Sequence, residues 1–206
     1  MAAVRVVALD DADLPWIDVT MPASSSAVRL VRLHADAATG ASVSLVRFPP
    51  GWTRPGTGHY TCAEEFVAFD GEISVSGSRF AAGAYKYLPS HASRADSFAG
   101  EDGCLAVAWF SGPPVWRDGI ADDAPGPDRA AAPLGSAPLG SAPLGSVLLG
   151  SVAEFSRRLP GDARDAPAGY DAVFLDARAW AYVPEGEPFP DLPGRVLVRR
   201  WGRTGG

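Results

Sequence analysis

From Val4 to about Pro114 the chain is a succession of short β-branched and aromatic runs, each closed by Gly, Pro or Asp, and no stretch sustains a helical apolar period. That punctuation specifies many short strands and leaves no room for a long amphipathic helix. The expected strands are Arg5–Leu9, Val28–His34, Ser42–Phe48, Glu65–Phe69, Glu72–Ser76, Ala84–Leu88, Ala92–Phe98 and Cys104–Phe110. Asp70-Gly71 reads as the two-residue turn of a tight hairpin, because both central positions of such a turn need positive φ. Short antiparallel strands in this number suit a jelly-roll barrel, so the expected class is all-β.

The pattern changes after the barrel. Residues 118–129 are rich in Asp, Ala and Pro, and a pentapeptide then repeats through Pro133-Leu134-Gly135-Ser136, Pro138-Leu139-Gly140-Ser141 and Pro143-Leu144-Gly145-Ser146 to the variant Leu148-Leu149-Gly150-Ser151. Proline and glycine in every full copy oppose both helix and sheet ladder, which makes the segment a flexible linker. Beyond it the sequence restarts. Val173-Phe174-Leu175-Asp176 echoes Val7-Ala8-Leu9-Asp10, and Gly194–Arg200 echoes Ala27–Leu33. The expected organisation is a barrel over 1–116, a linker over 117–151 and a short C-terminal β segment over 152–206, the opening of an incomplete second repeat whose strands need a partner.

Charge narrows the function classes. With 24 acidic against 18 basic residues the net charge is −6, which offers no electrostatic footprint for nucleic acid or an anionic membrane. No apolar run reaches the roughly 18 residues of a membrane span. Two cysteines, Cys62 and Cys104, are too few for a disulfide framework, and free buried thiols in a reducing cytoplasm are the expectation.

One spacing carries more than the rest: Gly51, five residues, Thr57, one residue, His59, four residues, Glu64, six residues, Gly71. Gly83, five residues, then Pro89-Ser90-His91-Ala92-Ser93-Arg94 follows it. The pair resembles the two signature motifs of the cupin family, a glycine, five residues, His-x-His, three or four residues, Glu, six residues and Gly, and a glycine, five residues, then Pro-x-Gly-x-x-His. The phrase from His59 to Ile73 and the Pro89 loop are most similar to anti-sigma-factor-like and uncharacterised bacterial cupins. The resemblance covers about Arg47 to Phe110 and implies a jelly-roll barrel that binds a metal through three histidines and the glutamate. Two of those histidine positions hold Thr57 and Arg94 instead. A permanently cationic arginine repels a divalent ion and a threonine hydroxyl is a poor ligand, so the usual site is altered.

The candidate residues follow from that frame. His59, one of three histidines, and Glu64 are the candidate catalytic pair, able to shuttle a proton. Glu65 competes with Glu64, since neighbours on a strand face opposite ways and one of them enters the barrel while the other is solvated or salt-bridged. Arg94, with Thr57 and Tyr85, is the candidate ligand-binding set, for a guanidinium in an apolar barrel can hold a carboxylate, phosphate or enolate, or pair structurally with the glutamate. A rebuilt metal site would use His59, Glu64 and His91 for iron, manganese or zinc, although alternation turns His91 and Arg94 to opposite faces. Tyr60, Tyr87, Trp52 and Trp109 are expected to pack the barrel, and Lys86 to face solvent.

Three readings stand. The first is a cupin holding a small anionic organic ligand without a tightly bound metal, with isomerase, epimerase or cyclase chemistry if it is catalytic. A metal-dependent cupin of dioxygenase type is the second, and a non-catalytic sensory or interaction cupin the third. The expected partners are a small-molecule ligand and, as the resemblance implies, a second copy of the chain in a homodimer.

Overall fold

The protein was analysed as a computed structural model that describes residues 3–125, 132–133, 147–149 and 169–201, with the backbone alone at the two short inner segments. Most of the pentapeptide repeat expected as a linker lies outside the described residues. The described residues hold strands and turns and no α-helix, so none is long and apolar enough to cross a membrane. In chain order the strands are β1 (Arg5–Ala8), β2 (Ile17–Val19), β3 (Val28–Ala35), β4 (Ser42–Phe48), β5 (Thr53–Tyr60), β6 (Glu64–Val75), β7 (Ser78–Ala81), β8 (Ala84–Leu88), β9 (Arg94–Phe110), β10 (Trp116–Asp118), β11 (Ala132–Pro133), β12 (Val147–Leu149), β13 (Gly169–Phe174), β14 (Ala179–Pro184) and β15 (Val196–Trp201). They fall into two compact units, one of Leu14–Ser136 and one of Met1–Asp13 with Ala137–Gly206.

The larger unit is a curled antiparallel sheet in the order β11-β8-β6-β9-β4-β3-β2, with β7 on β6 and the pair β5–β10 on β9. Two long strands make it curl. The C-terminal half of β9 pairs with β4 through Ser42↔Phe110 to Phe48↔Cys104, while its N-terminal half pairs with β5 through Thr53↔Phe98 to Gly58↔Arg94. Strand β6 follows β9 around the same bend, with register shifts at Ala68/Asp70 and Gly71/Ile73. Side chains on the concave face, among them Val28, Val46, Trp52, Phe66, Ile73, Phe80, Leu88 and Ala106, form one buried core. The result is the jelly-roll architecture read from the sequence.

Several strand limits differ from the sequence reading. Asp70-Gly71 is no hairpin turn, because β6 runs straight through it. Gly71, at φ 64°, instead lets two backbones meet at the bend: a Cβ there would stand 2.0 Å from the Gly103 carbonyl oxygen. The two-residue hairpin lies at Ser76-Gly77, both with positive φ, between Val75 and its partner Ser78. The expected strands at 92–98 and 104–110 are one strand, β9. Strand β5 was hidden by Pro55, Gly56 and Gly58, poor strand formers that the chain tolerates because β9 and β10 flank them. Lys86 is 7% exposed, not solvated, with its ammonium 5.8 Å from the Phe80 ring. Both cysteines are buried free thiols.

The smaller unit is an antiparallel sheet in the order β1-β14-β13-β15-β12. Its first strand comes from the N-terminus: Arg5–Ala8, assigned to the barrel by sequence, pairs with Ala179–Tyr182. Tyr170, Ala172, Phe174, Ala179, Ala181, Val183, Val196 and Val198 form its core, with Phe189 and Leu192 packed against them. The Arg178 Nε donates to Asp10 Oδ2 at 2.6 Å, tying the hairpin to the N-terminal segment. The ends of the repeat are also paired, Ala132–Pro133 with Tyr85 and Ala84, and Val147–Leu149 with Val198 to Val196.

Candidate functional site

Inside the barrel lies a cavity of about 60 Å³, walled by apolar side chains such as Leu30, Val46, Phe66, Ile73 and Ala106. Three charged groups reach into it, Arg54, Glu64 and Arg94, with Tyr60 and Ser97 as further polar lining. One irregularity in each of two paired strands sets this combination. On β5 the register slips between Arg54 and Thr57, at Pro55-Gly56, where Gly56 has φ 81°. On β9 Asp96 takes φ 45°, so Ser97 and Arg94, three residues apart, both line the interior despite the two-residue alternation of a regular strand.

Arg94 is 1% exposed and fully engaged. Its Nε and one Nη both donate to Glu64 Oε2, at 3.1 and 2.7 Å, and the other Nη donates to the Ala92 carbonyl at 3.1 Å. The Tyr60 ring lies 4.8 Å from the same guanidinium. Glu64 and Arg94 are therefore a neutral pair across β6 and β9, with two guanidinium donors converging on one carboxylate oxygen. Glu65, the other candidate, is neither solvated nor inside the cavity; it is fully buried and accepts a 2.6 Å hydrogen bond from the Tyr85 hydroxyl. Tyr85 is thus a partner of Glu65 and not part of the cavity lining.

Arg54 differs from Arg94. It is 6% exposed and among the described residues makes one hydrogen bond, from Nη1 to the Tyr60 hydroxyl at 3.0 Å, while its buried Nε finds no partner there. Three rings surround the guanidinium, Trp116 at 4.1 Å, Tyr60 at 5.5 Å and Trp52 at 5.9 Å. Ser97, directly opposite Arg54 in the β5–β9 register, has a buried hydroxyl that is also unpartnered. Burial pushes the Tyr60 hydroxyl above its ordinary range, the dominant effect over the two nearby arginines, so the phenol stays protonated near neutrality.

The remaining candidates stand off the cavity. Thr57 is exposed on β5. His59 is 8% exposed, its Nδ1 is 3.0 Å from the Gly119 carbonyl oxygen, and its ring meets that of His91 edge to face at 5.5 Å. A carbonyl only accepts, so the His59 proton sits on Nδ1. His91, at φ 65°, holds the Asp123 carboxylate at 2.7 Å, and that hydrogen bond keeps Asp123 below the usual carboxylate range. The three residues of the rebuilt metal set are not brought together: Glu64 is spent on Arg94, and the two histidines lie outside the lining. Among the described residues no group of three or more His, Cys, Asp or Glu is placed to hold a metal ion.

Trp116, on β10, packs against Gly58, where an added Cβ would come within 2.0 Å of the indole. Of the first motif, the cavity is lined by Tyr60 and Glu64, and Tyr60 is one step out of phase with Thr57 and His59. A metal of the kind cupins bind does not fit this donor set, because a phenol, a guanidinium and a neutralised carboxylate cannot replace imidazoles. Sequence reasoning missed Arg54, Ser97 and Trp116; only Tyr60 carried a signal, as a barrel-packing aromatic three residues before Glu64's neighbour Ala63.

Comparison with known proteins agrees with the architecture. The family model of the ChrR cupin-like domain matches residues 4–111. A structure of a Nostoc punctiforme protein provisionally assigned as a dioxygenase is 14% identical and covers 98% of this chain and 84% of its own, with a TM-score of 0.65. An acetylacetone dioxygenase of Acinetobacter johnsonii is 16% identical over 46% of this chain and 67% of its own, at a TM-score of 0.41. A chain of the Rhodobacter sphaeroides complex of SigE with the anti-sigma factor ChrR is 19% identical over 48% of this chain and 50% of its own, at 0.40. At such identities the likeness shows the fold alone. A search of curated protein sequences returned no match.

Proposed function

Since the chain belongs to the family of ChrR cupin-like domains, we propose that its barrel has exchanged a metal centre for a pocket that binds a small organic anion. The observation that carries this reading is the charge of the cavity: two guanidiniums, Arg54 and Arg94, face one carboxylate, Glu64. Glu64 neutralises Arg94, which leaves Arg54 as a buried positive charge without a counter-ion among the described residues. A buried cation costs several kcal/mol unless it is paired, and a bound anion supplies the missing partner. The cavity takes only a few heavy atoms, on the order of a short carboxylate.

Binding is favoured over acid–base catalysis. Glu64 is held by two hydrogen bonds from Arg94 and His59 does not line the cavity, so neither is poised to move a ligand proton. Dioxygenase chemistry would require a metal that this donor set does not fit. Homodimerisation through the sheets, common among cupins, remains part of the proposal and is read by light scattering.

The test is a thermal-shift series at constant ionic strength with formate, acetate, phosphate and chloride. A saturable rise in Tm with an organic anion, absent with chloride, supports the reading; at about 100 times Kd such a ligand adds about 2.7 kcal/mol. No response to any organic anion would refute it.

A further inference from the structure

Which group holds the anion is a separate matter, and it rests on the reading above. We infer that Arg54, Ser97 and Tyr60 form the anchoring set for a short monocarboxylate, with the Glu64–Arg94 pair as the wall behind it.

Each member contributes a donor with nowhere else to go. Aromatic rings crowd the Arg54 guanidinium, the nearest centroid at 4.1 Å, and its hydrogen bonds lie in its own plane. One Nη is used on Tyr60, and Nε remains buried and unbonded. That edge matches the two oxygens of a carboxylate. Ser97 stands across the β5–β9 ladder in direct register with Arg54, where side chains on one face have Cβ atoms about 5 Å apart, and its buried hydroxyl has no partner either. The Tyr60 oxygen accepts from Arg54, which frees its own proton to be donated. Three donors from two strands thus converge where two orphaned polar atoms would otherwise remain.

Other buried orphans, such as the Ser42 and Ser44 hydroxyls, do not line this cavity, so the convergence is not a general looseness of the fold. The rest of the wall is apolar, with Leu30, Val46 and Phe66 among it, which suits a methyl or ethyl tail and not a second charge. Inorganic phosphate would bring two charges to a site where, among the described residues, Arg54 is the cation left unpaired, and would leave oxygens against hydrocarbon. The ligand class is accordingly a monocarboxylate of about two or three carbons.

The experiment is calorimetric titration of the full chain with acetate, with formate and phosphate in parallel, on wild type and on Arg54→Met, Ser97→Ala and Tyr60→Phe. Wild type should bind acetate more tightly than phosphate. Arg54→Met should weaken acetate by 100-fold or more, and Ser97→Ala and Tyr60→Phe by about 10-fold each, as expected for hydrogen bonds to a charged group. Without acetate, Arg54→Met should melt no lower than wild type, because it removes an uncompensated buried charge while keeping an unbranched chain of similar length. Should that variant melt low, Arg54→Lys serves in its place, since the ammonium keeps the charge but loses the fork and should cost acetate at least 10-fold. Equal acetate affinity in wild type and in the Arg54 variant would overturn the anchoring set while leaving an anion-binding barrel intact. Preference for phosphate would overturn the monocarboxylate class. Absence of any organic anion binding in wild type would overturn the underlying reading itself.

Discussion

Replacing Glu64 by glutamine removes a charge and little volume, so it isolates the electrostatic role of the buried pair. Arg94 has 1% of its side chain exposed and Glu64 15%, and two of the arginine's hydrogen bonds end on one carboxylate oxygen. Breaking a buried pair from one side costs about 3–5 kcal/mol, because the surviving charge keeps its desolvation penalty without its attraction. The partial exposure of Glu64 puts the loss at the lower end, about 3 kcal/mol. For a unit of this size that is roughly 10 °C in Tm, at about 3–4 °C per kcal/mol. Urea and thermal denaturation of Glu64→Gln, Arg94→Met and the double variant form the assay. The double variant should recover most of the loss, giving a coupling energy of about 2 kcal/mol or more. A Glu64→Gln protein within about 2 °C of wild type, or additive effects in the double variant, would refute the buried-pair argument.

Gly71→Ala should cost about 2 kcal/mol or more in urea denaturation, since φ 64° and a Cβ 2.0 Å from the Gly103 carbonyl oxygen force the β6–β9 bend apart; a neutral effect would contradict the bend. Burial pushes the Cys104 thiol up to about 12, with Asp70 and Glu72 adding to it, so this cysteine should resist a thiol reagent at pH 8 until the protein is unfolded. The hydrogen bond from His91 holds Asp123 below its ordinary value, so its stabilising effect is present above the unfolded value near 4 and is lost as pH falls through the lower folded one. Asp123→Asn should therefore converge with wild type in acid and fall below it in Tm above about pH 4; parallel curves across the range would disprove a stabilising His91–Asp123 hydrogen bond.

The barrel was legible because strand punctuation and the Gly51–Gly71 and Gly83–Arg94 spacings are properties of the backbone path, which turn residues encode directly. Glu64 was placed by its distance to Gly71, and Arg94 was recognisable as a cation where a ligand is expected. What the spacing could not convey was phase. The slip at Pro55-Gly56 and the left-handed backbone at Asp96 decide which side chains turn inward, and an aspartate inside an otherwise regular strand pattern signals such a turn only weakly. Hence His59, the residue of most obvious chemistry, lies off the cavity while Tyr60 lines it. Arg54 was unreadable for a related reason: followed by Pro-Gly it looks like a turn residue, and its burial depends on Trp116, some sixty positions later. Strand β1 left its expected place because pairing with β14 is a long-range event that no local pattern records.

An anion pocket beside a neutralised carboxylate, as proposed, would leave the barrel unable to hold the metal that cupins bind. The most direct test is metal retention, measured by mass spectrometry after loading the full chain with Fe²⁺, Mn²⁺ or Zn²⁺ and removing the excess, on wild type and on Glu64→Ala. No stoichiometric metal that depends on Glu64 is expected. About one ion per chain in wild type, lost in Glu64→Ala, would contradict it.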